Sequence, residues 1–221
     1  MSETALLVGA TGLVGRAVIA GTERHPQVRL SALARREVPL PKGARVEVLV
    51  ADPAAWTKAI AQARPAVLII ALGTTIRAVG GSRDAFRAVD HDLVVTLAEA
   101  AKEAGARQVI LVSSVGASAT SRNFYLSVKG EVEQALDAMH FQRLDILRPG
   151  LLRGRRDGSL RWMERLGQGL APFFDLFLHG KLARYRSTSA RDLAEAILAL
   201  VGASGRGRHV HGSGNIHRLA R

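Results

Sequence analysis

The chain has 221 residues, a length that fits one large domain, or a core with a modest extension, better than two full domains. Hydrophobic residues make up 48% and charged residues 23%, so the chain can bury a sizeable core and is neither disordered nor fibrous. Cysteine is absent, which excludes disulfides, iron–sulfur clusters and thiolate zinc sites.

The net charge of +12 is unevenly distributed. Residues 1–147 carry 17 basic and 14 acidic side chains, whereas residues 148–221 carry 14 and 5. Such a basic region can attract phosphates, nucleic acid or anionic lipid, or it can be a solvated face of a protein with 26 Arg and only 5 Lys. No aromatic residues interleave with the arginines, so we do not expect a nucleic-acid partner.

The N-terminal residues do not resemble a targeting segment. The first basic residue is Arg16, and the apolar run at 5–8 is too short for the core of a signal peptide. Nowhere does the sequence approach the roughly 20 apolar residues of a membrane span. We therefore expect a cytoplasmic protein without a membrane span.

Short apolar runs alternate with helical patterns along the first 150 residues, which is typical of βαβ units. Strands are predicted at 5–8, 29–34, 46–50, 66–72, 109–113 and 145–147. Helices are predicted at 13–20, 54–63, 86–104 and 125–139. This order predicts an α/β fold with a doubly wound parallel sheet.

The pattern loosens after Gly150. We interpret residues 151–186, with an apolar stretch at 170–178, as a small cap within a single domain that spans residues 1–221. A further helix is predicted at 187–201, with Ser189 as a candidate N-cap. The glycine-rich segment 202–214 is predicted to be a loop around a short final strand at 209–211.

Three glycines, Gly9, Gly12 and Gly15, stand where the first strand gives way to the first helix. Glycines there permit a tight turn and a close backbone approach, and the helix N-terminus offers free N–H groups to a pyrophosphate. The alternative is a purely structural turn, but the position between an apolar strand and an amphipathic helix favours dinucleotide binding. The residues expected to contact the cofactor here are Gly9, Thr11, Gly12, Leu13 and Val14.

Two arginines, Arg35 and Arg36, follow the second strand, where NAD-selective folds place an acid for the ribose hydroxyls. Guanidinium groups suit a 2′-phosphate, so the sequence predicts NADP, with NADPH preferred over NADH. The alternative is a pair of solvated arginines. Asp52, after the third strand, is a candidate acceptor for the adenine amino group or a helix-entry residue. Leu72, at the end of the fourth strand, and Gly73 and Thr74, which follow it, are expected beside the cofactor.

Tyr125 and Lys129 lie four residues apart on a predicted helix, hence on one face. Ser113 and Ser114 end the fifth strand at the carboxyl edge of the sheet, where such sheets bind ligands. Together these residues suit hydride transfer at a carbonyl or alcohol carbon. The tyrosine supplies the proton, the ammonium group stabilises the tyrosinate, and a serine hydroxyl holds the substrate oxygen. The alternative is a partly buried tyrosine beside a solvated lysine.

At these residues the chain resembles the atypical short-chain dehydrogenase/reductase family, and within it the Tat-interacting-protein-like oxidoreductases. The resemblance runs from residue 4 to about residue 200. It rests on the glycine motif, Ala34-Arg-Arg36, Leu72-Gly-Thr-Thr75, Phe86 with Val89-Asp90, Ser113-Ser-Val-Gly-Ala117, Phe124-Tyr-Leu-Ser-Val-Lys-Gly-Glu-Val-Glu133 and Leu147-Arg-Pro-Gly-Leu-Leu152.

The resemblance implies a Rossmann core that binds NADP(H). It implies Ser114, Tyr125 and Lys129 as the catalytic residues, with Ser114 matching the catalytic serine better than Ser113. The further residues that it places at the cofactor are Ser113, Tyr125, Lys129, Pro149 and Leu151. Asp90 stands where many extended members of the broader family have an Asn that holds a water, so the family's proton relay does not transfer directly.

The function expected is that of an NADP(H)-dependent oxidoreductase acting on a carbonyl or hydroxyl group of a small-molecule substrate. A non-catalytic NADP(H)-binding regulator is one alternative, and a sugar-nucleotide epimerase or dehydratase is another, although residues 151–221 leave it little room. No metal site is expected, because no carboxylate lies near His209, His211 and His217 in the sequence.

Overall fold

A computed structural model describes residues 3–153 and 187–221. The strands are β1 Glu3–Val8, β2 Val28–Ala34, β3 Val46–Val50, β4 Val67–Ile70, β5 Gln108–Val112, β6 Arg143–Arg148, β7 Leu152–Arg153, β8 Thr188–Ser189 and β9 Gly207–Gly212. The helices are α1 Leu13–Gly21, α2 Trp56–Ala63, α3 Arg83–Arg87, α4 Leu93–Glu103, α5 Phe124–Ala138, α6 Ala190–Leu200 and α7 Ser213–Leu219. Short 3₁₀ turns at Thr22–Arg24 and Pro53–Ala55 and a π-helical turn at Ala88–Asp92 complete the described elements.

Seven strands form one parallel sheet in the order β3-β2-β1-β4-β5-β6-β9. The chain moves outward from β1 to β3, returns to β4 on the other side of β1, and then continues outward to β9. The predicted doubly wound parallel sheet is therefore confirmed. The direction of winding reverses between β1 and β4, and ligands of such sheets bind in the crevice at that point.

The sheet separates two layers of helices, as the alternation of side chains along β1 shows. Ala5 and Leu7 belong to the core on one face, with α1, α6 and α7, whereas Leu6 and Val8 belong to the core on the other face, with α2, α4 and α5. Successive residues of a strand point to opposite faces, so a strand covered on both faces must be apolar throughout. β4 meets this requirement, since all four of its residues are buried.

Two helical segments differ from the prediction. The predicted helix at 86–104 begins earlier, at Arg83, because Ser82 caps it by accepting a hydrogen bond from the Ala85 backbone N–H at 3.1 Å. The π-helical turn then interrupts it before α4. Residues Ser213–Leu219 form α7 although the glycines around them favour a loop, since Ile216 is fully buried in the core and packing outweighs local propensity.

The final predicted strand is confirmed as β9 at the edge of the sheet, and Ser189 caps α6 by accepting from the Asp192 backbone N–H at 3.0 Å. The predicted cap at 151–186 lies outside the described residues except for its first three. Of these, Leu152 and Arg153 form β7, which pairs in parallel with β8. None of the helices in the described ranges is long and apolar enough to cross a membrane.

Candidate active site

The glycine turn between β1 and α1 is built for close backbone contact. Gly9 has φ +96°, and a Cβ there would lie 2.5 Å from the Ala71 carbonyl. A Cβ on Gly15 would lie 2.2 Å from the Gly9 carbonyl oxygen, so both positions admit only glycine. Gly12 begins α1 without a side-chain cap, and it is exposed together with Thr11. The first turn of α1 therefore presents uncapped N–H groups toward the crevice.

Arg35 and Arg36 lie directly after β2 at the same edge of the sheet, and both are exposed. Neither has a carboxylate partner within the described ranges of the chain. Asp52, after β3, is exposed and accepts a hydrogen bond from the Ala54 backbone N–H at 2.9 Å through one oxygen. One carboxylate oxygen thus supports the turn into α2, while the other is available to a ligand.

The segment after β4 approaches the π-helical turn. The Thr74 backbone N–H donates to Oδ2 of Asp90 at 2.7 Å, and a Cβ on Gly73 would lie 3.6 Å from Oδ1 of the same carboxylate. Leu72 is half-buried against the core beneath this segment. The cofactor-facing segment predicted at 72–74 is therefore held by Asp90.

Helix α5 carries Tyr125 and Lys129 on one face. Asn123 caps the helix by accepting from the Leu126 backbone N–H at 3.1 Å. Tyr125 is 40% exposed and packs edge-on against the buried ring of Phe86, with centroids 6.0 Å apart. Lys129 is buried, and its Nζ lies 2.9 Å from Oδ1 of Asp90. The alternative of a solvated lysine is therefore wrong.

The loop between β5 and α5 crosses α5 immediately beside Lys129. A Cβ on Gly130 would lie 2.2 Å from the Ala119 nitrogen and from the Ser118 carbonyl carbon. The Ser118 backbone N–H donates to the Leu126 carbonyl at 3.1 Å, and the hydroxyl oxygen of Ser127 lies 3.3 Å from the Ala119 carbonyl oxygen. Gly130 thus lets the loop that follows the two serines lie directly on the helix.

The two serines after β5 have different surroundings. The hydroxyl of Ser113 is buried and donates to Oε1 of Glu133 at 2.5 Å. Ser114 is half-buried, and its hydroxyl lies 3.3 Å from the Val115 carbonyl. The Ser113 side chain therefore points into the protein, and Ser114 is the less buried of the two serines.

Glu133 organises the end of β6. It accepts hydrogen bonds from both Nε and Nη2 of Arg148, the former at 2.9 Å, and Arg208 Nη2 lies 3.4 Å away. The hydrogen bond with Glu133 raises the pKa of Arg148 and outweighs the opposing effect of burial. Pro149 follows, buried, and its carbonyl accepts from the Val115 backbone N–H at 3.0 Å. These contacts fix the ends of β5 and β6 side by side.

The predicted site residues thus lie after the ends of neighbouring strands or on the helices that cover the sheet. Leu151 is 62% exposed between β6 and β7. Sequence reasoning missed the supporting contacts that two carboxylates make. Glu133 follows Tyr125 and Lys129 at a further spacing of four, which could have revealed it. Asp90 was noticed, but its contact with Lys129 spans 39 positions and carries no local signal.

Known proteins with similar sequences indicate the family to which the chain belongs. A family model described as NAD(P)H-binding matches residues 9–168. The chain is 42% identical over 157 residues to Protein FMP52, mitochondrial, from Saccharomyces cerevisiae, an alignment that covers 70% of this chain and 68% of that protein. It is 35% identical over 175 residues to the protein fmp52, mitochondrial, of Emericella nidulans, covering 76% and 72%.

Solved structures share the fold at low sequence identity. MoeE5 in complex with UDP-glucose and NAD superposes with a TM-score of 0.68 at 15% identity, covering 98% of this chain and 80% of that chain. The UDP-glucose 4-epimerase of Thermus thermophilus in complex with NAD gives a TM-score of 0.66 at 15% identity, covering 98% and 82%. At such identity the likeness establishes a Rossmann-type fold.

One expectation is overturned by these relatives. The proteins from Saccharomyces cerevisiae and Emericella nidulans are both named as mitochondrial, which contradicts the cytoplasmic location expected from the sequence. That expectation relied on the lack of a targeting pattern in the first residues, and the lack of such a pattern is weak evidence about the location of a protein. The matches at the level of sequence, together with the glycine turn and the sheet edge that it serves, show that the chain belongs to the NAD(P)H-binding family and is a relative of the FMP52 proteins.

Proposed function

We propose that the protein is an NADP(H)-dependent oxidoreductase of the short-chain dehydrogenase/reductase type, acting on a carbonyl or hydroxyl group of a small molecule. The observation that carries the proposal is the placement of Tyr125 and Lys129. They lie on one face of α5, and Lys129 is ion-paired to the carboxylate that also holds Thr74 at the cofactor crevice. A regulator that only bound the cofactor would not need a buried lysine beside an accessible tyrosine.

The glycine turn fits a dinucleotide. The space where Gly9 and Gly15 lack a Cβ is filled by neighbouring backbone, so the turn is as tight as a pyrophosphate site requires, and Gly12 leaves the first turn of α1 open. In this proposal Thr11, Leu13 and Val14 complete the phosphate contacts. When bound, the nicotinamide cofactor supplies or accepts the hydride.

The chain's own residues handle the proton. The Tyr125 hydroxyl donates it to the substrate oxygen during reduction, or accepts it during oxidation. The ammonium group of Lys129 stabilises the tyrosinate that remains, because an opposite charge nearby favours the charged form. The Ser114 hydroxyl donates a hydrogen bond to the same substrate oxygen and holds it in position.

The preference for NADP(H) in this proposal rests on Arg35 and Arg36. Both guanidinium groups are exposed at the end of β2, and a 2′-phosphate could be bound by them in a bidentate manner. We also assign Asp52 to the adenine, and Pro149 and Leu151 to the nicotinamide end. We also propose that the protein belongs to the Tat-interacting-protein-like branch of the short-chain dehydrogenase/reductase family.

A sugar-nucleotide epimerase or dehydratase is the second candidate. The observation that favours it is the shared fold with MoeE5, whose structure contains UDP-glucose and NAD. The present chain covers 80% of MoeE5, so it is shorter than that protein. The two candidates differ in a measurable way, because an epimerase leaves its cofactor unchanged after each turnover, whereas a reductase consumes NADPH.

The test uses the purified protein, NADPH and a panel of aldehydes, ketones and quinones, with NADPH absorbance as the readout. Tyr125→Phe should keep NADPH affinity, because only a hydroxyl is lost, while turnover falls by about 10²–10⁴-fold. Thr96→Val, which removes an exposed hydroxyl from α4, is the matched control and should behave as wild type. Wild-type rates in Tyr125→Phe would refute the proposal, and conversion of a sugar nucleotide without net NADPH consumption would favour the second candidate.

A further inference from the structure

Asp90 is a fully buried carboxylate whose two oxygens have different contacts: within the described residues Oδ2 is hydrogen-bonded, whereas Oδ1 has an ion-pair partner but no hydrogen bond. Oδ1 lies 2.9 Å from the Lys129 ammonium, and Oδ2 accepts the Thr74 backbone N–H at 2.7 Å. Asp90 is 0% exposed, and a charge removed from water in this way is costly unless it is paired and hydrogen-bonded. The chain keeps this costly group at the contact between α5 and the segment after β4.

The backbone is adapted to place this carboxylate. Asp90 lies within the π-helical turn Ala88–Asp92, and such turns inside α-helices occur frequently at functional sites. Four residues earlier, Phe86 packs against the ring of Tyr125. The same short segment therefore supports both proposed proton-transfer residues, Tyr125 through a ring contact and Lys129 through an ion pair.

Neighbouring carboxylates have other partners. Glu131, two residues beyond Lys129, pairs with Arg87 at 2.5 Å and accepts from the Ser127 hydroxyl at 2.8 Å. Asp92 contacts His91 at 2.8 Å. Within the described part of the chain, the carboxylate paired with Lys129 is that of Asp90.

An Asn could not perform both tasks of Asp90. A carboxylate offers two acceptor oxygens, whereas an amide offers one acceptor and one NH₂ donor. With Asn, either the Lys129 ammonium or the Thr74 N–H would face a donor. The acid at this position therefore has a physical reason.

We propose that Asp90 is a positioning residue that holds the Lys129 ammonium in place and joins it to the cofactor-facing segment through Thr74. This inference rests on the proposed function, since it assigns Asp90 to the support of the proposed proton-transfer lysine. It predicts that Asp90 acts on turnover through Lys129 and not independently.

The test is a double-mutant cycle with Asp90→Asn, Lys129→Met and the double variant, measured as kcat and KM for one carbonyl substrate. Asp90→Asn should lower kcat by on the order of 10²-fold, since a small misplacement of a catalytic group has such an effect. KM should change far less, because Asp90 does not touch substrate. The double variant should match Lys129→Met in kcat within about 2-fold, which is the usual scatter of double-mutant cycles. Glu131→Gln breaks the neighbouring ion pair and is the matched control, with kcat close to wild type.

A wild-type kcat in Asp90→Asn would overturn the inference. It would also be overturned if the fold-losses in kcat of the two single variants multiplied in the double variant. A second cycle on melting temperature needs no turnover. Each single variant leaves a buried group without its partner and should melt lower, whereas the double variant should recover part of the loss. Reductions in melting temperature that simply add in the double variant would also overturn it.

The two failures can be told apart. If the proposed function is wrong, Tyr125→Phe turns over like wild type while the coupling in melting temperature persists. If only the present inference is wrong, Tyr125→Phe is slow and the effects of Asp90 and Lys129 multiply. Should Asp90→Asn fail to fold, Lys129→Met and the double variant still decide the matter. Equal kcat and NADPH affinity in these two proteins support the inference, and a slower double variant contradicts it.

Discussion

At the scale of single residues, we propose that Arg35 and Arg36 give the enzyme its preference for NADPH over NADH. Changing both to alanine should erase most of the preference for NADPH over NADH, while NADH affinity stays nearly unchanged, because a charge-assisted contact with the 2′-phosphate is lost and NADH has no such phosphate. Calorimetric titration of both cofactors measures this effect. Arg29→Ala removes an exposed arginine at the opposite end of β2 and is the control. Equal affinities for the two cofactors in the unmodified protein would contradict the assignment.

Gly12 and Gly15 should respond differently to substitution. A Cβ on Gly12 would lie 3.3 Å from the Gly9 carbonyl oxygen, which the turn can accommodate with a small shift. Gly12→Val should therefore fold, as judged by circular dichroism, yet lose both cofactors, because the side chain occupies the pyrophosphate path. Gly15→Val would place its Cβ 2.2 Å from the same oxygen and should destabilise the fold itself. Unchanged NADPH binding in Gly12→Val would remove this turn from the site.

The site was predictable where chemistry follows local spacing. The glycines and the pair Tyr125 and Lys129 were found because a turn or one helix face brings them together. The partner of Lys129 and the inward direction of the Ser113 hydroxyl were not, since both depend on α5 packing against other elements. Local patterns do not encode which distant side chain fills a given contact.

At the scale of elements, α5 and the loop that crosses it form one unit. Gly130→Ala would push its methyl group against the backbone of Ser118 and Ala119, which lies 2.2 Å from the added carbon. Because backbone rather than a flexible side chain must move, we expect the free energy of unfolding to fall by about 1–3 kcal/mol. Turnover should fall as well, since the loop connects Ser114 to the helix of Tyr125, whereas NADPH affinity should change less. Urea denaturation and a cofactor titration measure the two effects.

The control for this substitution is Gly105→Ala, whose Cβ would meet no atom within 4 Å. Gly105 has φ +96°, so its cost comes from backbone strain alone, and turnover should be unaffected. A Gly130→Ala protein with wild-type stability would show that the loop can move away from α5 without cost, contrary to our expectation.

Most elements were predictable because a sheet covered on both faces needs strands of continuous apolar residues. The runs at β1, β4 and β5 meet that requirement, and turn residues separate them from the helices. The π-helical turn at Ala88–Asp92 and helix α7 were missed. The first is an insertion in a helical pattern that periodicity does not resolve, and the second depends on burial of Ile216 against distant helices.

At the scale of the whole molecule, a buried network joins the last three strands of the sheet. Asp145 on β6 is fully buried and accepts from Arg143 at 2.7 and 2.8 Å, from the Gln108 amide at 2.8 Å and from His211 at 2.9 Å. Gln108 also accepts from the Gly202 backbone N–H at 2.9 Å, which ties the loop after α6 to the sheet. The edge strand β9 is thus attached through polar contacts in addition to its ladder.

This network should make the protein sensitive to acid. Burial alone would raise the pKa of Asp145, but hydrogen bonds from His211, Arg143 and Gln108 outweigh it and hold the pKa below its ordinary value. A carboxyl group with a lowered folded-state pKa contributes stability above its unfolded pKa and loses it as pH falls through the folded value. The free energy of unfolding should therefore decline below about pH 4, the range in which a free aspartate titrates.

Asp145→Asn tests this directly. At pH 7 the variant should lose about 3–5 kcal/mol of unfolding free energy, because Arg143 is left buried without its carboxylate. Its stability should then decline less steeply with acid than that of wild type, since one of the carboxyl groups whose pKa the fold lowers has been removed. Glu99→Gln, which removes an exposed carboxylate on α4, should leave both the stability and its pH dependence unchanged. Urea denaturation at a series of pH values measures the slopes, and identical slopes in Asp145→Asn and wild type would place the origin of acid sensitivity elsewhere in the molecule.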